Sequence, residues 1–224
     1  RLIALDYPLI NTEPQRDYLI AQHILAYQDF PEKGPCCLFN GEYAPYRHPV
    51  IYYYLLSGIL AINQNFMFLM FVNFFLQIIP VITIFILTSR FFSYNVGILA
   101  ILLYSFHQEI YKNALFFWQP HLKLPFLYGS FLALFLFYRT SRYWLLGVSS
   151  IFFIVGAAIH LSSMTIFPLW FIALFFILHS QKRQAKSYFI TFLSVCIGLI
   201  VLLKGTSLEV FKNPLLLIHT SIVD

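Results

Sequence analysis

The chain has 224 residues, of which 60% are hydrophobic and only 10% charged, with a formal net charge of +5. Soluble globular domains carry roughly 45–50% apolar and about 25% charged residues, so a single water-facing fold is excluded and lipid must cover part of this chain. The positive balance does not imply a nucleic-acid partner, because the 14 Lys and Arg are scattered and form no basic patch.

The sequence opens at Arg1 with no signal peptide and no span before its first polar stretch, and reads as an internal piece of a longer protein, truncated at both ends. Cys36, Cys37 and Cys196 fit no metal-ligand spacing. Residues 1–47 form the one polar region and hold six of the nine acidic residues: Asp6, Glu13, Asp17, Asp29, Glu32 and Glu42. Pro14 suits a helix first turn, where its missing N–H would have no partner anyway. From there Tyr18, Leu19, Ile20, Ile24 and Leu25 recur at amphipathic spacing. That helix should end by Phe30-Pro31, after which Gly34, Pro35, Asn40, Gly41 and Pro45 predict a loop.

Residues 49–62 are apolar, yet as a helix they rise only about 21 Å against a hydrocarbon layer of roughly 30 Å. They are expected to lie at the interface or re-enter it, with Tyr52, Tyr53 and Tyr54 at headgroup level. Full spans are expected near 66–89, 94–108, 121–138, 143–160, 162–179 and 187–204. Arg90, then Arg139 with Arg142, then Lys182, Arg183 and Lys186 fall in alternate, acid-free connections, which the positive-inside rule places in the cytoplasm. The other connections then face out, and every Asp and Glu lies among them. If 49–62 crossed fully, this parity would reverse.

The predicted fold is all-α. It is a polytopic membrane helix bundle with an extracytoplasmic first loop, residues 1–65, carrying amphipathic juxtamembrane helices. A six-span bundle over 66–204 and the start of a further extracytoplasmic segment over 205–224 complete it.

No Asp or Glu occurs between Glu42 and Glu109, or between Glu109 and Glu209, which disfavours a proton-coupled transporter needing mid-membrane acids. The chemistry-bearing pair is Glu13 and Asp17, which share one helix face at i and i+4. A partly desolvated carboxylate there has its pKa raised towards general-base use. The competing reading is a solvated helix start, where acids favour the dipole. His107 and His121 flank the loop holding Glu109, so a divalent metal is conceivable, but the ligand spacing is irregular.

The run Glu13-Pro14-Gln15-Arg16-Asp17-Tyr18-Leu19-Ile20-Ala21 resembles the first-loop motif of bacterial GT-C glycosyltransferases. These are relatives of the dolichyl-phosphate-mannose protein mannosyltransferases and the lipid A aminoarabinose transferase. The resemblance continues in order through Phe30-Pro31 to Gly34-Pro35, and through His48-Pro49 into Tyr52-Tyr53-Tyr54. Phe117-Trp118-Gln119-Pro120 with Pro125-Phe126 is similar to an aromatic, Trp-Asn-Pro-like outer loop, and Ala158-Ile159-His160-Leu161-Ser162 to a turn between spans. Glu13 stands where Asp is more usual, and Gln119 where Asn is.

The resemblance implies a multi-pass enzyme of the bacterial cytoplasmic membrane. It would move a hexosyl or pentosyl group from a polyprenyl-phosphate donor to a glycan, lipid or protein acceptor at the outer face, with inversion. By the same resemblance Asp17 and Glu13 are the base candidates, with Asp17 the better match through its Arg-Asp context. Arg16, Arg47, His48, Lys112 and His160 are candidate phosphate partners, since Arg offers a bidentate fork and Lys a point charge. Trp118 and Tyr52 are candidates for sugar or acceptor contact. The rival readings are a transporter or flippase for lipid-linked sugars, and a non-catalytic membrane subunit.

Overall fold

The computed structural model describes residues 12–31, 36–39, 42–47, 50–108, 110 and 117–180. Among them the architecture is helical apart from one antiparallel hairpin. The chain divides into two compact units, Arg1–Phe30 with Tyr52–Gly129 and Pro31–Ile51 with Ser130–Asp224.

In the first unit, α1 (Thr12–Tyr27) ends where expected, before Phe30-Pro31. Its buried stripe is Asp17, Ala21 and Ile24, while Leu19 is exposed. The 3.6-residue period thus puts an acid, not Leu19, on the inward face. Helix α2 (Val50–Ile62) buries Tyr52, Tyr53, Leu56, Ser57 and Leu60. The Tyr52 and Tyr53 rings sit inside the unit, so neither forms part of its exposed surface. Ala21 leaves room for α2, and the Ser57 hydroxyl donates across to the Ala21 carbonyl at 3.1 Å.

Helix α3 (Phe66–Leu76) starts under an Asn65 cap whose side chain accepts from the Met67 N–H. It gives way at Gln77 to α4 (Ile78–Phe91). Pro80 explains the break. Proline lacks the N–H that the Leu76 carbonyl would receive, and its ring crowds that carbonyl. Ser93 caps α5 (Tyr94–Phe106) by accepting from the Val96 N–H at 3.3 Å. Gly97 permits close approach of α5 to α4, since a Cβ there would collide with the Ser89 hydroxyl and lie 3.2 Å from the Phe85 ring.

Helix α6 (Gln119–Thr140) carries Pro120 in its first turn, where it is harmless, and Pro125 inside. Pro125 offers no N–H to the His121 carbonyl four residues earlier. The Gln77 side-chain amide supplies the missing donor at 3.1 Å. Two proline defects, one on each helix, thus meet at a single glutamine. Helix α6 ends at Ser141, which adopts φ 58° and donates its N–H to the Phe137 carbonyl.

The second unit contains the hairpin of β1 (Cys36–Phe39) and β2 (Glu42–Arg47), paired Leu38 with Tyr43 and Phe39 with Glu42. A short hairpin thus replaces the loop expected over these residues, while the rest of the described chain is helical, as the all-α reading expects. Asn40-Gly41 is the residue pair that most favours a two-residue hairpin turn. Helix α7 (Trp144–Ile159), a 3-10 turn (Leu161–Ile166) and α8 (Phe167–Ser180) follow. Pro168 cannot donate to the Met164 carbonyl, which takes the Phe167 N–H instead, and this preserves the tighter 3-10 geometry.

A closed polar cluster ties this unit together. The Trp170 indole donates to the Ser149 hydroxyl at 3.1 Å, which donates to the Ser130 carbonyl at 2.9 Å. With that proton committed, the Ser130 hydroxyl must be the donor in its 3.1 Å contact with Ser149. Small hydroxyl residues are what closely packed helices in lipid use for such links.

Among the described residues three helical segments are long and apolar enough to cross a bilayer: Phe66–Phe91, Gln119–Thr140 and Ser162–His179. Helices α5 and α7 occupy the expected spans 94–108 and 143–160 and are apolar, but have only 13 and 16 residues. The expected span 187–204 and the segment 205–224 lie outside the described residues.

Gly97→Leu is expected to lower the melting temperature of the full chain in lipid nanodiscs, with Gly97→Ala milder because the Ser89 hydroxyl can rotate away. Ser149→Ala should cost about 1–3 kcal/mol by stranding the Trp170 N–H. Ser149→Ala with Trp170→Phe should lose less than the sum of the single changes. Strict additivity in the melts would refute the link.

Candidate functional site

The first unit brings Arg16, Asp17, Tyr53 and Gln119 together, from α1, α2 and the start of α6. Asp17 is 0% exposed. Its Oδ1 accepts from Arg16 Nε at 3.0 Å and Nη2 at 2.8 Å, and from the Tyr53 hydroxyl at 3.0 Å. Its Oδ2 accepts only one described bond, from Gln119 Nε2 at 3.3 Å. That same amide nitrogen donates to the Tyr53 hydroxyl at 2.9 Å. The orientation of Gln119 follows from chemistry. Flipping the amide would turn its carbonyl towards a carboxylate and towards a hydroxyl whose proton is already given to Asp17.

Burial sets the electrostatics. Removal from water raises the Asp17 pKa, and this outweighs the lowering by the Arg16 charge and by the hydrogen bonds from Arg16, Tyr53 and Gln119. Burial also pushes the Tyr53 phenol far up, with the Asp17 charge adding to it, so Tyr53 stays a donor. Arg16 bridges inside and outside, its side chain 29% exposed while its fork holds the hidden oxygen. The site is thus a carboxylate with one saturated oxygen, one nearly open oxygen, and a proton affinity moved towards neutrality.

Comparison with protein families, with curated proteins and with solved structures finds no match to this chain.

The remaining sequence-derived candidates distribute unevenly. Glu13 lies on α1 one turn before Asp17, with its side chain outside the described residues, as is that of Arg47 on β2. His48, Lys112 and Glu109 also fall outside them. Arg16, a phosphate candidate, holds Asp17 through its part-exposed side chain. Tyr52, a candidate for sugar or acceptor contact, is fully buried beside Tyr53 with ring centroids 5.1 Å apart. Trp118 is half-buried just before α6 and meets the His121 ring edge-to-face at 5.4 Å.

His160 belongs to the second unit, where it terminates α7 and caps the 3-10 turn. Its Nδ1 accepts the Ser162 N–H at 3.3 Å and lies 2.7 Å from the Ser162 hydroxyl. The backbone donor assigns the neutral ring its proton on Nε2. Among the described residues no group of three His, Cys, Asp or Glu could hold a metal.

Sequence reasoning passed over Tyr53 and Gln119. Tyr53 was one of three consecutive tyrosines, and only the helical register selects which hydroxyl reaches Asp17. Gln119 did carry a signal: an amide at the opening of an apolar helix, flanked by Trp118 and Pro120.

Asp17 binds its proton more tightly folded than unfolded. Its contribution to stability is therefore greatest below the unfolded carboxylate pKa, about 4, and is lost as pH rises through the raised folded value. Melting temperatures of the wild type in nanodiscs should fall across that window, and Asp17→Asn should remove this component of the slope. Tyr53→Phe deletes a bond that lowers the Asp17 pKa and should move the window upward. An unchanged slope in Asp17→Asn would refute the buried-acid assignment.

Proposed function

We propose that this chain is part of a multi-pass glycosyltransferase of the bacterial cytoplasmic membrane, with Asp17 as the general base. It moves a sugar from a polyprenyl-phosphate donor to an acceptor hydroxyl at the outer face. The observation that supports this most is a carboxylate in the Arg-Asp context, buried beside apolar helices, with its proton affinity raised and one oxygen nearly unused. General bases are tuned in this direction, because proton transfer is most efficient when the catalytic pKa approaches the working pH.

In the proposed step the acceptor O–H gives its proton to Asp17 Oδ2 as the oxygen attacks the anomeric carbon. The bond from that carbon to the phosphate oxygen breaks, and its electron pair leaves with the polyprenyl phosphate. A single displacement inverts the centre. Arg16 and Tyr53 hold Oδ1 and fix the carboxylate plane, and Gln119 steadies its other edge. The negative charge growing on the departing phosphate needs cationic donors, a role for which the sequence offers Lys112. The acid-free basic connections at Arg90 and at Arg139 with Arg142 support the outer-face placement, since Gln119 and Arg139 stand at opposite ends of α6.

A non-catalytic membrane subunit is the second reading, favoured by the complete burial of Asp17 and by the three donors on Oδ1. The two separate in one experiment on the full-length protein. For a catalytic base, Asp17→Asn should reduce transfer of radiolabelled sugar from polyprenyl-phosphate donors by about 10²–10⁴-fold while the protein still folds, and Glu13→Gln should have a smaller effect. The wild-type rate should fall as pH drops through the Asp17 pKa. Transfer at the wild-type rate in both variants would refute the base assignment.

A further inference from the structure

The donors and acceptors around Asp17 do not balance. Gln119 is 1% exposed, and its Oε1 has no hydrogen-bond partner among the described residues; the same holds for the hydroxyl of Tyr52, which is 0% exposed. Most buried side-chain polar atoms in proteins are paired, so two orphans, one on the amide bonded to Asp17 and one on a phenol that feels the Asp17 charge, require an explanation. They cannot relieve themselves locally. The Gln119 amide is locked by its bonds to Asp17 and Tyr53, and the Tyr53 proton is already spent on Asp17 Oδ1.

The chemistry of the orphans restricts what could join them. Gln119 Oε1 is an acceptor, and Asp17 Oδ2 is an acceptor with spare lone pairs, so both call for a group that donates. A phosphate or carboxylate brings only acceptors and would face two of its own kind. A cation would sit beside the Arg16 guanidinium, which already neutralises Asp17. A neutral hydroxyl fits: it donates to Oδ2 or to Oε1, and its oxygen can accept from the Tyr52 hydroxyl.

We infer that Tyr52 and Gln119 form, with Asp17, a binding site for an uncharged hydroxyl, as on a sugar or alcohol, and not for the anionic part of a lipid phosphate. This rests on Asp17 being the reacting carboxylate only for its catalytic meaning; the binding stands without it. It gives Tyr52, a candidate for sugar or acceptor contact, a hydrogen-bonding role beside the Asp17 that Arg16 holds.

The test uses the full-length protein in nanodiscs and dicyclohexylcarbodiimide, which modifies protonated carboxyl groups in apolar surroundings. Labelling of Asp17 is read by peptide mass spectrometry. Octyl glucoside, octyl phosphate and octyltrimethylammonium, each below its micellar concentration, serve as competitors with the same tail. Octyl glucoside should slow Asp17 labelling several-fold, and the other two should leave it near the control. Tyr52→Phe and Gln119→Met should each abolish the protection while leaving Asp17 open to labelling. Equal or better protection by octyl phosphate, or undiminished protection in both variants, overturns the inference. So does failure to label Asp17 at any pH, since a carboxyl closed to the reagent is closed to a hydroxyl. If a variant does not fold, the three competitors on the wild type decide alone. Protection by octyl glucoside together with normal sugar transfer in Asp17→Asn would keep the binding site and remove the catalytic reading.

Discussion

A carboxylate taken out of water beside apolar helices is the costly feature of this chain, and much of the first unit is arranged around it. The charge of Asp17 is tolerable because Arg16, its neighbour in sequence, brings a guanidinium that remains partly wet while both of its bonded nitrogens reach one hidden oxygen. Two further donors come from distant segments, Tyr53 on α2 and Gln119 at the head of α6. Removing any one partner leaves a buried charge short of compensation, which is more damaging than losing an exposed ion pair. The cluster therefore also acts as a register pin, fixing which turn of α1 faces α2 and where α6 begins.

Prolines and side-chain amides provide a second organising theme. Pro80 and Pro125 each free a backbone carbonyl inside an apolar helix, a group that surrounding lipid would leave without a partner. Gln77 sits at the break caused by the first and satisfies the carbonyl freed by the second. That contact holds the opening of α6 against α4, and the opening of α6 carries Trp118 and Gln119. A defect in one helix is thus used to position a site residue on another. Pro168 acts differently, with the backbone itself tightening into 3-10 geometry at the turn that His160 caps.

Much of the helical framework was legible in the sequence, because long apolar runs and prolines act locally. The end of α1, the crossing-length segments from Phe66 and Gln119, and the apolar helices α5 and α7 follow from composition and period. The hairpin was missed because Gly34, Pro35 and Pro45 outweighed the Asn40-Gly41 signal in a stretch with little apolar alternation. Asp17 could be singled out, but its burial could not. Amphipathic spacing assigned Leu19 and Leu25 to the inner face, whereas α1 turns Ala21 towards Ser57, and that rotation carries Asp17 inward. Hydropathy likewise could not show that the Tyr53 hydroxyl donates to a buried carboxylate.

Whether Asp17 truly holds a proton that an exposed aspartate would release can be observed directly. Infrared difference titration of the full-length protein in nanodiscs, wild type against Asp17→Asn, isolates the carbonyl stretch of this one protonated carboxyl. The expected result is a band that persists to higher pH than an ordinary carboxyl group, about pH 4, and lies where weakly hydrated carboxyl groups absorb. A carboxyl that titrates within that range, with the stretch of a solvated acid, would contradict the buried, raised-affinity carboxylate on which both the fold of the first unit and the proposed chemistry depend.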